Sequence, residues 1–256
     1  MSTTDTETGI VGTTALVTGA SRGFGLAIAT SLSRAGARVV GVARDRERLE
    51  LLRTELGESF VPEIGDAAEP ATAGRLIDAY RPTILVLNAG ATPLTRPIQH
   101  HTWESFSQNW QVDVQHVFRW IREALISPLD PGSTVVTISS GAALRGSPLS
   151  GGYAGAKAAI RFMTAYAADE SSRAGLGITF RTVLPQLTPA TDLGSAAVVA
   201  YAARQGVDVV SYLNAAGPVL TTEQVGSAVA GLITDAGHDQ GAYLLTAAGL
   251  RPVLSA

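Results

Sequence analysis

The 256-residue chain contains no cysteine and only one lysine, Lys157, against eighteen arginines. The lack of cysteine excludes disulfide bonds and thiolate metal sites. Long apolar runs are also missing, since none reaches the roughly 18 residues that a membrane-spanning helix needs. The net charge is −3 and no basic cluster appears, so neither nucleic acid nor an anionic membrane is expected as a partner. The four histidines are not spaced as a set of ligands, and no bound metal is expected.

The first ten residues are polar and acidic, unlike a secretory signal, so we expect a cytoplasmic protein with a polar tail at 1–10. The chain is 46% hydrophobic, which is enough to bury one sizeable core. Residues 11–256 are therefore predicted to form a single domain.

Short apolar runs alternate with helical patterns along most of this domain. The predicted strands lie at 14–18, 38–42, 60–64, 83–87, 133–138, 178–183 and 242–246. The helical patterns lie near 24–35, 45–56, 69–80, 102–126, 152–174 and 222–234. This order predicts an α/β fold, a doubly wound parallel sheet of about seven strands with helices on both faces. Residues 186–221 interrupt the rhythm and are predicted to form a substrate lid with one or two short helices.

The single lysine stands four residues after a tyrosine, in the segment Tyr153-Ala-Gly-Ala-Lys157. On a helix, residues i and i+4 share a face with Cβ atoms about 5–6 Å apart, so the ammonium can lie close to the phenol. A fixed cation favours the phenolate form of a neighbouring tyrosine. Arginine is a wide planar fork and would not present the same compact charge. The pair therefore predicts a tyrosine that works as a general acid or base, the alternative being a chance pair on a surface helix.

The first predicted strand runs into Thr18-Gly-Ala-Ser-Arg-Gly-Phe-Gly25 and then into a helix. Glycines allow a tight turn and a close approach of the backbone to a phosphate, and a helix N-terminus favours the anion. The spacing G-x-x-x-G-x-G differs from the G-x-G-x-x-G of longer dinucleotide-binding enzymes. Its place between the first strand and the first helix predicts a nucleotide-binding turn.

Further motifs follow the later strands. Asp66 lies after the third strand, Asn88-Ala-Gly after the fourth, and Ser140 at the end of the fifth, 13 residues before Tyr153. Together with the glycine turn and the Tyr-x-x-x-Lys spacing, these motifs resemble those of the short-chain dehydrogenase/reductase family over residues 12–248. The resemblance implies a Rossmann-type fold and an oxidoreductase with a nicotinamide cofactor.

The resemblance also implies a role for each matching residue. Tyr153 would be the general acid or base at the substrate oxygen, Lys157 would assist it and hold the nicotinamide ribose, and Ser140 would bind the substrate oxygen. Asp113 completes the implied catalytic set. The implied cofactor-binding residues are Gly19, Ser21, Arg22, Gly23, Phe24, Gly25, Arg44, Asp66, Asn88, Ala89, Gly90, Tyr153, Lys157, Pro185 and Thr188.

The chain departs from the family pattern at two positions. Asp113 stands where the family has an asparagine whose main-chain carbonyl holds a water behind the lysine. An aspartate can keep that backbone role. Its charge either stays solvated or pairs with Lys157, and such a pair would partly offset the effect of the lysine on Tyr153. A substitution without mechanistic meaning is the alternative. Gln186 follows Pro185 where glycine is usual, so the substrate loop is expected to leave the site differently.

Two further choices concern the cofactor. NAD-preferring relatives carry an acid at the end of the second strand to hold both ribose hydroxyls, whereas this chain has Ala43 followed by Arg44, with Arg22 in the glycine turn. Two guanidiniums favour the 2′-phosphate of NADP(H). Thr188 and Thr191 both lie near the position of a cofactor-binding threonine, and the sequence does not decide between them.

We therefore expect an NADP(H)-dependent carbonyl reductase or secondary alcohol dehydrogenase. Its substrate is expected to be a small or medium apolar ketone, aldehyde or alcohol, because the lid is rich in alanine, valine, leucine and tyrosine. By resemblance, a homodimer or homotetramer is expected through the helices at 102–126 and 152–174. The alternatives are a redox-neutral enzyme, such as a lyase, epimerase or cyclase, and an NADP-binding sensor without turnover.

Overall fold

The computed structural model describes residues 9–235 and 237–253. Its strands are β1 (Thr14–Thr18), β2 (Arg38–Ala43), β3 (Phe60–Ile64), β4 (Ile84–Leu87), β5 (Thr134–Ile138), β6 (Thr179–Pro185), β7 (Ala242–Thr246) and β8 (Gly249–Pro252). They form one sheet in the order β3-β2-β1-β4-β5-β6-β7-β8. The first seven strands are parallel, and β8 runs antiparallel to β7. The predicted doubly wound α/β fold is confirmed, with β8 as an eighth strand that the sequence analysis missed.

The helices are α1 (Gly23–Arg34), α2 (Arg46–Leu56), α3 (Thr72–Tyr80), α4 (Trp103–Asn109), α5 (Gln115–Ile126), α6 (Ala142–Arg145), α7 (Gly151–Arg173), α8 (Asp192–Gln205), α9 (Val209–Ala216) and α10 (Thr222–Thr234). Successive strand residues point to opposite faces of the sheet. Ala15 and Val17 pack in the core under α1, α2 and α10, whereas Leu16 packs in the core under α3, α5 and α7. Both faces are covered, which explains why the strands are apolar without interruption.

The helical stretch predicted at 102–126 is present in the structure, but it changes type midway. A turn of π-helix, Trp110–Val114, separates α4 from α5. Such turns are rare and often occur at functional sites. This one carries Asp113, which is fully buried.

The structure gives more detail on two predicted segments, the N-terminal tail and the lid. Residues 1–8 of the predicted tail lie outside the described residues, and Ile10 is buried in the core rather than in a tail. The segment 186–221 holds the two helices α8 and α9. Gln186 keeps a negative φ and donates a hydrogen bond from Nε2 to the Pro218 carbonyl at 3.1 Å, which joins the two ends of this segment.

The strand order predicts where on the sheet a ligand binds. The order reverses between β1, which pairs with β2, and β4, which pairs with β1 from the other side. Ligands of such sheets bind at the carboxyl ends of the strands beside this reversal. Within the described residues, no helix is long and apolar enough to cross a membrane.

Candidate active site

A cleft of about 1260 Å³ opens at the carboxyl ends of the central strands. It brings together most of the residues that the motifs predicted. Those that line it are Gly19, Ser21, Arg22, Gly23, Phe24, Arg44, Asp66, Asn88, Ala89, Gly90, Asp113, Tyr153 and Lys157. Four predicted residues do not line it, namely Gly25, Ser140, Pro185 and Thr188.

The glycine turn forms a cradle between β1 and α1. Gly19 and Gly23 have φ angles of 70° and 55°, in the left-handed region that glycine adopts without strain. A Cβ atom at Gly25 would collide with the Gly19 carbonyl, so glycine is needed for close packing even outside the cleft lining. No side chain caps α1 at Arg22, which leaves N–H groups of the first turn for an anion. The cradle therefore fits the diphosphate of a dinucleotide.

Asn88 links the carboxyl ends of two neighbouring strands, β1 and β4. Its Nδ2 donates to the Thr18 carbonyl at 3.0 Å, and its backbone N–H donates to the Thr18 hydroxyl at 2.9 Å. The bonds fix the carboxyl ends of β1 and β4 relative to each other. The Asn-Ala-Gly segment thus shapes the cleft floor beside the glycine turn.

Two arginines stand at one end of the cleft. Arg44 follows β2 and pairs with Asp66 across 3.8 Å, and Arg22 pairs with Asp192 across 3.5 Å. The side chains of Arg44 and Asp192 are 79% exposed, and ion pairs of this kind are weak. Both guanidiniums can therefore turn toward a bound anion at little cost.

Tyr153 and Lys157 lie one turn apart on α7. The Lys157 Nζ atom is 5.6 Å from the centre of the Tyr153 ring. Lys157 is only 6% exposed, and its Nζ donates to the Ile138 carbonyl at 3.3 Å. The Ser139 hydroxyl donates to the Lys157 carbonyl at 2.7 Å, which fastens this turn of α7 to the end of β5. The Tyr153 side chain is partly exposed and lines the cleft, where a substrate can reach it.

Asp113 forms a buried ion pair with Lys157, one of the alternatives that the sequence left open. Its Oδ2 lies 3.2 Å from Nζ, and its Oδ1 accepts a hydrogen bond from the Ala91 N–H at 2.8 Å. The Asn109 amide adds a longer contact to Oδ1 at 3.4 Å. A Cβ atom at Gly90 would lie 2.8 Å from Oδ2, so only glycine leaves room for this carboxylate.

The pair determines the charge state of the lysine. Burial alone lowers the pKa of Lys157, but the Asp113 carboxylate, with a contribution from Tyr153, outweighs burial and raises this pKa above its usual value. Lys157 therefore stays protonated at neutral pH.

Besides Gly25, the structure places three predicted residues away from the cleft lining. Ser140 is half-buried after β5, where its Oγ accepts the Ala142 N–H at 3.2 Å. Pro185 is buried at the end of β6. Thr188 is 2% exposed because its hydroxyl turns inward and donates to the Leu220 carbonyl, whereas Thr191 lines the cleft. Of the two threonines that the sequence left open, Thr191 is therefore the one that lines the cleft in this structure.

One residue of the cleft, His116, was not predicted as functional. It lies three residues after Asp113 and is 1% exposed. Burial and the nearby Lys157 ammonium lower the pKa of His116 to about 3, while the Ala89 backbone acts to a smaller extent in the opposite direction. The ring is neutral at physiological pH. The sequence did contain a signal for this position: His116 stands three residues after Asp113, and residues at this spacing share a helix face.

Comparisons with known proteins identify the family. The family of short chain dehydrogenases matches residues 13–202. The 3-oxoacyl-[acyl-carrier-protein] reductase FabG of Rickettsia conorii is 32% identical over 178 residues, which cover 69% of this chain and 73% of that protein. The chain thus belongs to the short-chain dehydrogenase/reductase family of oxidoreductases.

Solved structures share the architecture. A short chain dehydrogenase from Burkholderia cenocepacia in complex with NADP matches with a TM-score of 0.76 and 26% identity over 91% of this chain and 95% of that one. The 3-ketoacyl-(acyl-carrier-protein) reductase from Brucella melitensis, complexed with NADH, has a TM-score of 0.75 and 22% identity over 91% of this chain and 96% of that one. Proteins of this fold therefore include complexes with both nicotinamide cofactors.

Proposed function

We propose that this protein is an NADP(H)-dependent oxidoreductase of the carbonyl reductase or secondary alcohol dehydrogenase type. The observation that carries the proposal is the buried, ion-paired Lys157 ammonium beside the Tyr153 phenol at the cleft. When bound, the nicotinamide supplies or accepts the hydride. The protein's own residues supply position, charge and the proton.

Tyr153 donates its proton to the substrate oxygen during reduction and accepts one during alcohol oxidation. The Lys157 charge stabilises the phenolate that remains. Asp113 keeps that charge in place and moderates its effect on the phenol. Ser140, at the same edge of the sheet, is proposed to donate a hydrogen bond to the substrate oxygen, as a preorganised donor does.

The proposed preference for NADP(H) rests on Arg44 and Arg22. No acid stands at the end of β2, where Ala43 is followed by Arg44, so this position puts no carboxylate where NAD-preferring relatives hold both ribose hydroxyls. The two guanidiniums line the cleft and are held only by exposed ion pairs. Charge-assisted hydrogen bonds from them would each contribute roughly 1.5–3 kcal/mol to binding the phosphate.

The proposed substrate is apolar around its carbonyl. Three large aliphatic side chains are exposed on the segments that follow β4, β5 and β6, at the end of the sheet where the cleft opens. They are Leu94, Leu144 and Leu187, with 40%, 37% and 42% of their surface exposed. Residues 186–221, which include Leu187, are proposed to act as a lid that closes over Leu94 and Leu144 when a substrate binds.

The test of this function is NADPH oxidation with a panel of ketones and aldehydes, followed at 340 nm together with product. Stoichiometric loss of NADPH supports the proposal. Tyr153→Phe should lower turnover by roughly 10²–10⁴, the usual contribution of general acid–base catalysis, while NADPH binding persists. Product formed without net oxidation would favour the redox-neutral alternative, and near-full turnover in Tyr153→Phe would refute the assigned proton donor.

We also propose that two copies pair through α5 and α7. An apolar groove lies between these helices, and its rim includes Phe118, Ile126 and Tyr166, which are 54%, 59% and 64% exposed. Phe162 on the same helix as Tyr166 is 58% exposed. Contiguous exposed patches of large apolar side chains mark interaction sites.

A further inference from the structure

The turn that follows β3 borders one end of the cleft. Its cleft-lining residues are Gly65, Asp66, Ala67 and Ala68. The Asp66 carboxylate lies 3.8 Å from the guanidinium of Arg44, which is proposed above to bind the 2′-phosphate. NADP(H) carries this phosphate on its adenosine ribose, so the turn lies where the adenosine half of the cofactor would bind.

The position of this turn depends on its backbone, because the two residues after Asp66 are alanines. The Asp66 Oδ1 atom accepts the Ala68 N–H at 2.9 Å, which shapes the turn internally. The Gly65 N–H donates to the Ala43 carbonyl at 3.0 Å, which ties the start of the turn to β2. The carbonyl groups of Ala67 and Ala68 are left for other partners.

Both carbonyls accept hydrogen bonds from successive side chains of α5. The indole N–H of the fully buried Trp120 donates to the Ala67 carbonyl at 2.8 Å. The Arg119 Nη1 atom donates to the Ala68 carbonyl, and its Nη2 donates to Gln115 Oε1 at 2.9 Å. The guanidinium is thus itself held on α5. These two bonds to the turn join residues 53 and 51 positions apart in the chain.

A buried indole N–H usually finds some partner, but here two neighbouring donors of one helix hold two neighbouring carbonyls of one cleft turn. Neither donor side chain lines the cleft, so both act through the turn. Hydrogen bonds weaken when their distance or angle departs from the optimum, and a binding residue is only as well placed as the contacts behind it. We propose that Trp120 and Arg119 are positioning residues, which hold Asp66 and the turn backbone in place for the adenosine half of the cofactor. This inference rests on the proposed cofactor function.

The test measures the two halves of the cofactor separately. Adenosine 2′,5′-bisphosphate carries the adenosine half, and reduced nicotinamide mononucleotide carries the nicotinamide half. Arg119→Met removes the donors but keeps an unbranched side chain, and it should weaken binding of adenosine 2′,5′-bisphosphate by about twofold to tenfold, the size of one hydrogen bond. Arg119→Lys keeps a charged donor and should recover part of the loss.

Kinetics separate positioning from damage to the fold. Arg119→Met should raise the KM for NADPH by a similar factor without lowering kcat, and should leave kcat/KM unchanged with reduced nicotinamide mononucleotide as the hydride donor. Trp120→Phe lacks the indole N–H and should show the same split, together with lower stability because a smaller ring fills the core. Arg173→Met is the matched control, since it removes an arginine from an exposed pair with Glu170 and should affect neither half.

Two results would overturn the inference. One is unchanged binding of adenosine 2′,5′-bisphosphate in Arg119→Met and Trp120→Phe, and the other is an equal loss of kcat/KM with the nicotinamide fragment. If the wild type binds neither NADPH nor NADH, the proposed function fails as a whole. If the wild type binds NADPH and both variants bind the adenosine ligand as the wild type does, only the positioning role fails.

Discussion

Replacing Asp113 by asparagine removes the carboxylate that pairs with the buried Lys157 ammonium, 3.2 Å away. At this distance and an effective dielectric constant near 20, the attraction is about 5 kcal/mol. Removing one partner of a buried pair typically costs about 3–5 kcal/mol, because the other charge stays buried without compensation. We expect Asp113→Asn to lower the free energy of unfolding by that amount near neutral pH.

The dependence of stability on pH should change sign in this variant. In the wild type the folded-state pKa of Lys157 is raised, so its stabilisation is present below the unfolded value of about 10.4 and is lost as pH rises through the folded value. Without Asp113, burial dominates and depresses the folded-state pKa below the unfolded one. The unfolded chain then binds more protons, and stability rises with pH between the two values.

Urea unfolding at pH 7 and pH 9.5, at one protein concentration, measures both effects. The double variant Asp113→Asn/Lys157→Met should be more stable than Asp113→Asn alone, since it leaves no unpaired buried charge. Asp192→Asn is the matched control, because it removes a carboxylate from an exposed pair with Arg22 and should change stability little. A loss below about 1 kcal/mol in Asp113→Asn, with the pH dependence of the wild type, would refute the reasoning.

Three further outcomes follow from the same structure. Arg44→Ala should weaken NADPH binding by about tenfold and leave NADH binding unchanged in fluorescence titrations; equal losses for both would remove Arg44 from phosphate recognition. Asp113→Asn should shift the pH profile of turnover to lower pH, because Lys157 then acts on the phenolate without an offset and loses its own proton earlier; an unchanged profile would make Asp113 a structural substitute. Tyr166→Glu would bury a charge in the apolar groove between the paired copies, so it should convert the proposed oligomer to monomers in sedimentation experiments. A wild type that is monomeric and fully active at micromolar concentration would contradict pairing.

Much of the fold could be predicted because strand patterns are local. The strands β1, β3 and β7 begin and end at the predicted residues. Strand β8 escaped prediction because the tight connection after Thr246 is Ala247-Ala248, which carries none of the glycine or asparagine signals of a hairpin turn. The π-helical turn was also missed, since the apolar spacing continues through it and the contact with Lys157 lies far along the chain.

The predictable part of the site consists of the residues whose motifs place them at strand ends or on α7. The glycine turn, Asn88 and the Tyr-x-x-x-Lys pair meet at one cleft because parallel strands bring their carboxyl ends together. Side-chain direction in a loop is not local information, so Thr188 could not be distinguished from Thr191. The burial of His116 could not be predicted either, because it results from the packing of the whole fold.

The single lysine of the chain can now be explained by geometry. Its Nζ must lie within reach of the Ile138 carbonyl, the Asp113 carboxylate and the Tyr153 ring at one buried point. An ammonium group meets this need because its three donors diverge from one compact centre, whereas a guanidinium is a wide planar fork. The carboxylate in turn fits only because Gly90 has no side chain. With the ammonium paired to Asp113 and bonded to the Ile138 carbonyl, a further donor remains for the nicotinamide ribose, the contact that the family resemblance implies for Lys157.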